Sequence, residues 1–597
     1  MALADDMMAN AKRLLAAGSP GKARGILTEV ARTSPHHVDA CLLLGYLDNE
    51  AGRFDEAERW LRLGIETKPN AAELHYNLGV TLSALGREAD AERAFREAVR
   101  LSPSLAPAHY NLAGCLHSAG RLDEAVDSLR EAIRHDPRIA RAHYNLANGL
   151  RDQGRVRESL EAFKAAIALD PGSDAPRTNR LMALNYVTGD AAAVYAEHKR
   201  YGDSLIARAG PAKAHANVRN PNRRIRVGFL SADLRQHSCS YFLEPLLAGL
   251  DTDRFEIMCY LNHPREDDVS RRLRGLVAGW RSVWTVGVAE ADRMIRADAI
   301  DVLIECSGHT DHSRLDIMAA RPAPVQGTYL GYPNTTGLST IDFRVVDSIS
   351  DPSEGQSDGA SDRLCVERLV RLDPCAWCFR PDASAPLPSP PPVDRNGFVT
   401  FGSFNNLSKV SDETVALWCR VLEAVPGSRL LMKNRWMGDP GTAHRLRERF
   451  AAASGGRVDP GRIDAAPFTP GVRDHLAMYE RIDIQLDTYP YHGTTTTCES
   501  LWQGVPVVTL CGGVHAARVG ASLLSCVGLP ELAPSTPQGF VDAALKLAQS
   551  PAHLGALRSE LRSVMSGSAL MDQRRFADRF GAAVRAEFER WARGPIR

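Results

Sequence analysis

At 597 residues the chain is too long for a single hydrophobic core, and about three or four domains are expected. Lys+Arg and Asp+Glu are equal at 72 each, so no net field draws the chain to nucleic acid or to an anionic membrane. A hydrophobic content of 44% with 24% charged residues fits a soluble globular protein, and no apolar run approaches the ~20 residues of a membrane span. The opening MALADDMMANAKRLLAAG carries acidic residues early and lacks the apolar core of a signal peptide. A cytoplasmic location, with no nucleic-acid and no membrane partner, is the expectation. The twelve cysteines share no repeated spacing, and Cys375-Ala-Trp-Cys378 is the only CxxC, so it reads as an idle pair rather than a zinc site.

The first third is periodic. Prolines stand at 35, 69, 103, 137 and 171, and glycines at 18, 52, 86, 120 and 154, both 34 residues apart. A small residue follows each glycine by five positions: Ala23, Ala57, Ala91, Ala125 and Ser159. His-Tyr-Asn-Leu recurs at 75–78, 109–112 and 143–146. Proline ends the second helix of each unit, glycine turns the chain, and the small residue lets the two helices approach. This resembles the tetratricopeptide repeat, a helix–turn–helix unit that stacks into a solenoid and binds peptides along its concave face. Asn77, Asn111 and Asn145 recur at one height, where an amide can pair with both N–H and C=O of a bound protein segment. They are equally consistent with solvated helix positions or caps.

Residues 172–209 stay helical but lose the period, and 210–223 read as a linker. From Arg224 short apolar runs alternate with longer helical ones: 224–230, 255–261, 299–304 and 343–346. The alternation restarts at 397–404 and continues through 429–433, 482–486 and 505–510. Such alternation means parallel α/β sheets. The proline-rich 381–393 separates the halves, and 571–591 is long enough to pack back across both. Two such units suggest a ligand cleft between facing strand ends.

The second half holds Leu486-Asp-Thr-Tyr-Pro-Tyr-His-Gly-Thr-Thr-Thr-Thr-Cys-Glu-Ser-Leu-Trp502: a strand, a turn given its freedom by Gly493, and a helix start. Thr494, Thr495, Thr496 and Thr497 can present N–H groups and hydroxyls where the helix dipole favours an anion. Glu499, four residues after Thr495, shares its face and can accept from two ribose hydroxyls. Four threonines before a glutamate exceed what an ordinary cap requires.

Lys409 follows the first strand of this half, where a cation would stabilise charge on a departing diphosphate. Asn406, three residues earlier, can hold base or phosphate. His237 follows the first strand of the preceding half, where it can act as a general base or orient a donor sugar. Gly308-His309-Thr310 and Gly331-Tyr-Pro-Asn-Thr-Thr-Gly337 suit sugar contacts and suit ordinary turns equally. Asp251-Thr-Asp253, the one Asp-X-Asp triplet considered for a metal, lies between helix and strand patterns and reads as a turn; no metal and no other cofactor is expected.

These motifs together resemble glycosyltransferase family 41, the O-GlcNAc transferases and the plant SPINDLY proteins. The residues that carry the likeness are the repeats, Asp233 with His237-Ser-Cys-Ser-Tyr-Phe, Gly308-His-Thr, Arg321-Pro-Ala-Pro-Val-Gln326, 331–337, Phe401-Gly-Ser-Phe-Asn-Asn-Leu, Lys409 and the threonine loop. The resemblance implies a GT-B fold and metal-independent, inverting transfer from a nucleotide sugar to Ser or Thr of a protein. It also implies Lys409 on the donor diphosphate, His237 in the active site, Glu499 on the ribose and His475 near the nucleotide. The fold class expected is an α-solenoid followed by two Rossmann-like domains. Five repeats are expected at 2–171, a helical extension and linker at 172–223, the N-terminal catalytic domain at 224–380, a linker at 381–395, and the C-terminal nucleotide-sugar domain at 396–597.

The O-GlcNAc branch has Tyr before its lysine and a His-Thr-Thr loop ending in Asp, where this chain has Ser408, the four threonines and Glu499. The spelling is closer to SPINDLY, whose plant members use GDP-fucose, so UDP-GlcNAc and GDP-fucose both stand as donors. Some bacterial proteins of this architecture modify flagellin with nonulosonic acids, which adds a third donor class. A repeat adaptor with a non-catalytic nucleotide-sugar half, and a GT-B enzyme on a small molecule, are the other readings.

Overall fold

In the computed structural model, which describes residues 2–34, 37–353 and 361–594, all five periodic glycines have positive φ, between 69° and 78°. Each makes the turn between two helices, a backbone state that costs other residues strain. The pairs are α1 Ala2–Ala16 with α2 Pro20–Thr33, α3 Val38–Glu50 with α4 Phe54–Thr67, and α5 Ala72–Ala84 with α6 Glu88–Leu101. They continue with α7 Ala106–Ser118 and α8 Leu122–His135, then α9 Ala140–Asp152 and α10 Val156–Leu169. Ala23, Ala57, Ala91, Ala125 and Ser159 are buried as the close helix approach requires. Pro35, the first proline of the series, lies outside the described residues.

The chain divides into two compact units, 1–153 with 161–172, and 154–160 with 173–597. Within the first, the His-Tyr-Asn-Leu motif has a structural job. His75, His109 and His143 each place Nε2 2.8–2.9 Å from the carbonyl of Pro69, Pro103 or Pro137. Asn111 is hydrogen-bonded to the Tyr76 hydroxyl, and Asn145 donates to that of Tyr110 at 3.4 Å. Asn77 donates to its own helix at Glu73 O, 2.8 Å. Asn111 and Asn145 therefore link successive repeats, Asn77 bonds only within its own helix, and all three remain half-buried.

The second unit begins with α11 Ala175–Leu184 and α12 Ala191–Ala209. Read from the sequence as an extension, these helices are part of a core: Leu181, Tyr201 and Leu205 pack with Leu230, Leu303, Leu315 and Leu338. α12 reaches so close that a Cβ at Gly202 would lie 2.0 Å from Gly337 O, and one at Gly337 2.1 Å from His198 O. Two glycines thus allow backbone to rest on backbone.

The first α/β domain has seven parallel strands: β1 Ile225–Ser231, β2 Phe255–Leu261, β3 Gly279–Ser282, β4 Val302–Glu305, β5 Val325–Thr328, β6 Phe343–Val346 and β7 Arg368–Arg371. Their order is β3-β2-β1-β4-β5-β6-β7. The second has five: β8 Thr400–Ser403, β9 Arg429–Lys433, β10 Ile463–Ala466, β11 Ile484–Leu486 and β12 Val507–Val508, in the order β10-β9-β8-β11-β12. Both orders reverse beside the first strand of the domain, β1 or β8, the kind of switch point where such sheets open a crevice. The helix Gln573–Arg593 returns to the first domain, burying Phe576, Phe580, Val584 and Phe588 against Phe229, Phe255 and Tyr329. Cys375 and Cys378 are free thiols buried in different cores. Among the described residues no helix is long and apolar enough to cross a membrane.

Candidate active site

After β11 the chain passes through Asp487 and turns into the helix Thr495–Trp502. Asp487 holds the turn: its carboxylate accepts from the N–H groups of Thr488 and Gly493 at 2.9 and 2.8 Å and from the Thr509 hydroxyl at 2.9 Å. Gly493 is required for room rather than for a left-handed backbone, since a Cβ there would lie 2.2 Å from Thr496 Oγ1. Thr496 donates to Asn405 Oδ1 at 3.0 Å and Thr497 to Gly493 O at 3.0 Å. The N–H groups of Thr495, Thr496 and Thr497 form the first helical turn, where no intrahelical carbonyl accepts from them. Thr494 is the N-cap, with no side-chain cap bond.

Beside this turn stands Lys409, closing the 3-10 turn Leu407–Lys409 after β8. Its Nζ donates to His492 O at 2.9 Å and lies 4.2 Å from the centre of the Tyr491 ring. Among the described residues it has no carboxylate partner, and burial pulls its pKa down to about 8 against the opposing pull of Asp487. A desolvated ammonium with donors to spare, next to a helix N-terminus, is a ready seat for phosphate oxygens. Asn406 takes another role: it is exposed, and its side chain accepts from Ser408 N at 3.4 Å to cap the turn. The inward-facing amide is that of Asn405.

Glu499 is 9% exposed. Its Oε2 accepts from Tyr479 OH at 3.4 Å and lies 3.1 Å from His475 Nε2. On the other side of the ring, His475 Nδ1 is 2.6 Å from Lys433 Nζ. The chain of bonds is satisfied if Nε2 carries the proton and Nδ1 accepts from the ammonium. Lys433 ends β9 and, like Lys409, has its pKa lowered to about 8 by burial, with Glu499 opposing. Sequence reasoning missed Lys433 and Asp487, although both sit where it had placed strand ends. The 60%-exposed Phe468 ring lies 5.9 Å from Lys433 Nζ.

His237 lies in the loop after β1, and the Thr495 hydroxyl reaches Ser238 O in that loop at 3.4 Å. His237 Nδ1 is 3.3 Å from both Asp233 Oδ1 and the N–H of Cys239. Protonated, Nδ1 donates to Asp233 and leaves Nε2 as an acceptor; unprotonated, it accepts from Cys239. Burial lowers the histidine's pKa and Asp233 acts against that. Asp233, His237 and Cys239 bring one O, one N and one S ligand atom within 4.8 Å of one another.

His309 does not join these groups. Its ring is 0% exposed, with Nε2 2.8 Å from Thr336 O, and stacks edge-on against His198 and Tyr332. Burial drives its pKa down to about 3. It is therefore a neutral, buried residue under the 331–337 loop rather than a group on the cleft surface, and its Nδ1 has no hydrogen-bond partner among the described residues. The same region buries Glu305, whose carboxylate accepts from Ser307 N and Gly308 N, and Glu367, which accepts from Thr335 and Thr336. Asn77, Asn111 and Asn145 belong to the repeat unit.

A two-domain α/β protein with a helix N-terminus, a desolvated lysine and a buried glutamate at strand ends has the make-up of a nucleotide-sugar binder. The Glycosyl transferase family 41 model matches residues 203–367 and 394–580, and Tetratricopeptide repeat models match 14–78, 51–106, 76–137 and 118–174. The chain belongs to glycosyltransferase family 41, and its two parallel domains form a GT-B fold. It is 39% identical over 424 residues to the probable UDP-N-acetylglucosamine--peptide N-acetylglucosaminyltransferase SPINDLY of Petunia hybrida, covering 70% of this chain and 44% of that one. The Arabidopsis thaliana SPINDLY is 38% identical, with 70% and 45% covered. The chain thus spans less than half the length of these curated relatives. Among solved structures, a lysine-to-methionine mutant of Thermobaculum terrenum O-GlcNAc transferase matches with a TM-score of 0.78 at 34% identity, covering 87% of this chain and 98% of that one.

Proposed function

We propose that this chain is a protein O-glycosyltransferase that moves a sugar from UDP-GlcNAc or GDP-fucose to a Ser or Thr hydroxyl of a protein held by the repeats. The names of its relatives support the reaction class. The observation that carries the reading is Lys409, a desolvated ammonium without a carboxylate partner among the described residues, beside the first turn of the threonine helix. In this reading the acceptor oxygen attacks the anomeric carbon from the face opposite the diphosphate, so configuration inverts. Charge developing on the leaving diphosphate is met by Lys409 and by the N–H groups of Thr495 to Thr497, fixed donors in a partly dehydrated site. They fill the place a divalent metal takes in other transferases. Glu499 takes the ribose hydroxyls through Oε1, its other oxygen being engaged by Tyr479 and His475. His237, with Nδ1–H on Asp233, takes the acceptor proton at Nε2.

The test is a thermal-shift panel with UDP-GlcNAc, GDP-fucose and CMP-linked sugars, followed by transfer assays with the stabilising one. Saturation at 100 times Kd stabilises by about 2.7 kcal/mol. One nucleotide sugar is expected to raise Tm well beyond the others; a panel with no shift at millimolar concentration contradicts the reading.

A further inference from the structure

Between β1 and the helix Ser240–Gly249, one loop supplies three ligand atoms of the kinds that borderline-soft divalent cations prefer. Asp233 offers a carboxylate oxygen, His237 an imidazole nitrogen and Cys239 a sulfur, all within 4.8 Å of one another. Zinc-class ions bind these atoms at about 2.0–2.3 Å, which puts tetrahedral ligands on the order of 3.5 Å apart. The Asp233–His237 separation of 3.3 Å is already at that spacing.

The loop is held rather than loose. Asp233 N donates to Ser231 Oγ at 2.9 Å, Gln236 N to Asp267 Oδ2 at 2.8 Å, and Ser240 Oγ to His237 O at 2.7 Å. Asp233 is 5% exposed while the His237 side chain is 37% exposed, so the cluster has a fixed floor and an open side. Burial does most to hold Cys239 as a thiol; the carboxylates of Asp233 and Glu305 add to that, and Arg235 is the cation that acts against them. The charges around the thiol, two carboxylates against one guanidinium, favour an added cation, which must offset the cost of ionising a buried thiol.

We propose that Asp233, His237 and Cys239 form an inhibitory site for a zinc-class divalent cation, its fourth position open to solvent. On binding, Cys239 gives its thiol proton to solvent and bonds to the metal as thiolate, Asp233 bonds as carboxylate, and His237 through a ring nitrogen. No electron is transferred. The consequence rests on the glycosyltransferase reading: a metallated His237 is no longer held on Asp233 and cannot take the acceptor proton. The cation therefore lowers turnover, and the same loop both serves the reaction and can be shut off.

Cobalt(II) is the probe for binding, because thiolate ligation gives a near-ultraviolet charge-transfer band that needs no activity. The full chain should develop that band at one equivalent, lose it to a chelator, and lose it in both Cys239→Ser and Cys239→Ala. Absence of the band, or its persistence in both variants while each melts near the parent temperature, overturns the site. In the second arm, zinc chloride is titrated into the transfer assay. Each Cys239 variant should keep basal transfer and need at least about 10-fold more zinc for half inhibition, since even outer-shell losses cost 10–100-fold in affinity. Equal sensitivity overturns the inhibitory role. If no donor supports transfer at all, the glycosyltransferase reading falls and the cobalt arm alone decides the metal site.

Discussion

The two α/β domains present their strand-end loops in opposite ways. In the second, Lys409 keeps donors free, Glu499 keeps one oxygen free, and a helical turn points its N–H groups at the same region. In the first, the carboxylates satisfy themselves on neighbouring loops, Glu305 taking Ser307 and Gly308 and Glu367 taking Thr335 and Thr336, while His309 spends Nε2 on Thr336 O and keeps a partnerless Nδ1 inside a fully buried ring. Position at a carboxyl-terminal strand end nominates a residue. Unspent hydrogen-bonding capacity that is also exposed separates a binding group from a building one.

Lys409→Ala tests the contrast most severely. Losing one preorganised charge-stabilising donor costs about 10²–10³ in kcat. The melting temperature should hold or rise, because the folded chain no longer desolvates an ammonium. Steady-state kinetics beside calorimetry checks both; retained turnover removes Lys409 from the reaction.

A smaller effect is expected from pH. The Lys409 pKa near 8 means kcat/KM falls as pH rises through that value and the ammonium is lost. For stability the sign is opposite to that of a group gaining a partner. A lysine whose folded pKa is lowered destabilises fully below about 8, and the penalty fades as pH climbs towards the unfolded value near 10.4. Arginine stays charged throughout, so Lys409→Arg should show no limb near pH 8, whatever its residual rate. A limb that survives there belongs to Lys433.

The smallest functional effect is expected at His309. His309→Leu removes a buried bond to Thr336 O and should lower stability by about 1–3 kcal/mol. Donor affinity, by titration calorimetry, should stay within about 2-fold. A large loss of affinity at unchanged stability would erase the distinction between the two loop sets.

The repeats were legible because a strict period reports tertiary packing directly: glycine, small residue and proline each mark a place where helices touch. The threonine helix was legible because its composition exceeds what capping needs. β3, β5, β7 and β10 were not named from sequence, since runs such as Gly279–Ser282 and Ile463–Ala466 carry little hydrophobic signal, unlike the equally short β4 Val302–Glu305 and β6 Phe343–Val346. The roles of Asn405 and Asn406 could not be told apart, because neighbouring residues leave a strand on opposite sides and only packing says which faces the site. Asp487 escaped notice for a related reason. An aspartate after a strand looks like any turn residue until its four bonding partners, separated by up to 82 positions, are seen together.

The helix Gln573–Arg593 gives the chain an order of assembly. Phe576, Phe580 and Phe588 are fully buried in the core of a sheet whose first strand starts at Ile225, each contributing about 1.5–3 kcal/mol. The sheet's last strand ends at Arg371, so at about 5–20 residues per second of synthesis the finished sheet waits roughly 10–45 s for its last layer. The first α/β domain to emerge is thus the last to close. During that interval its greasy face needs a chaperone or the growing second domain to shield it, and a nonsense codon late in the gene damages the domain encoded earlier.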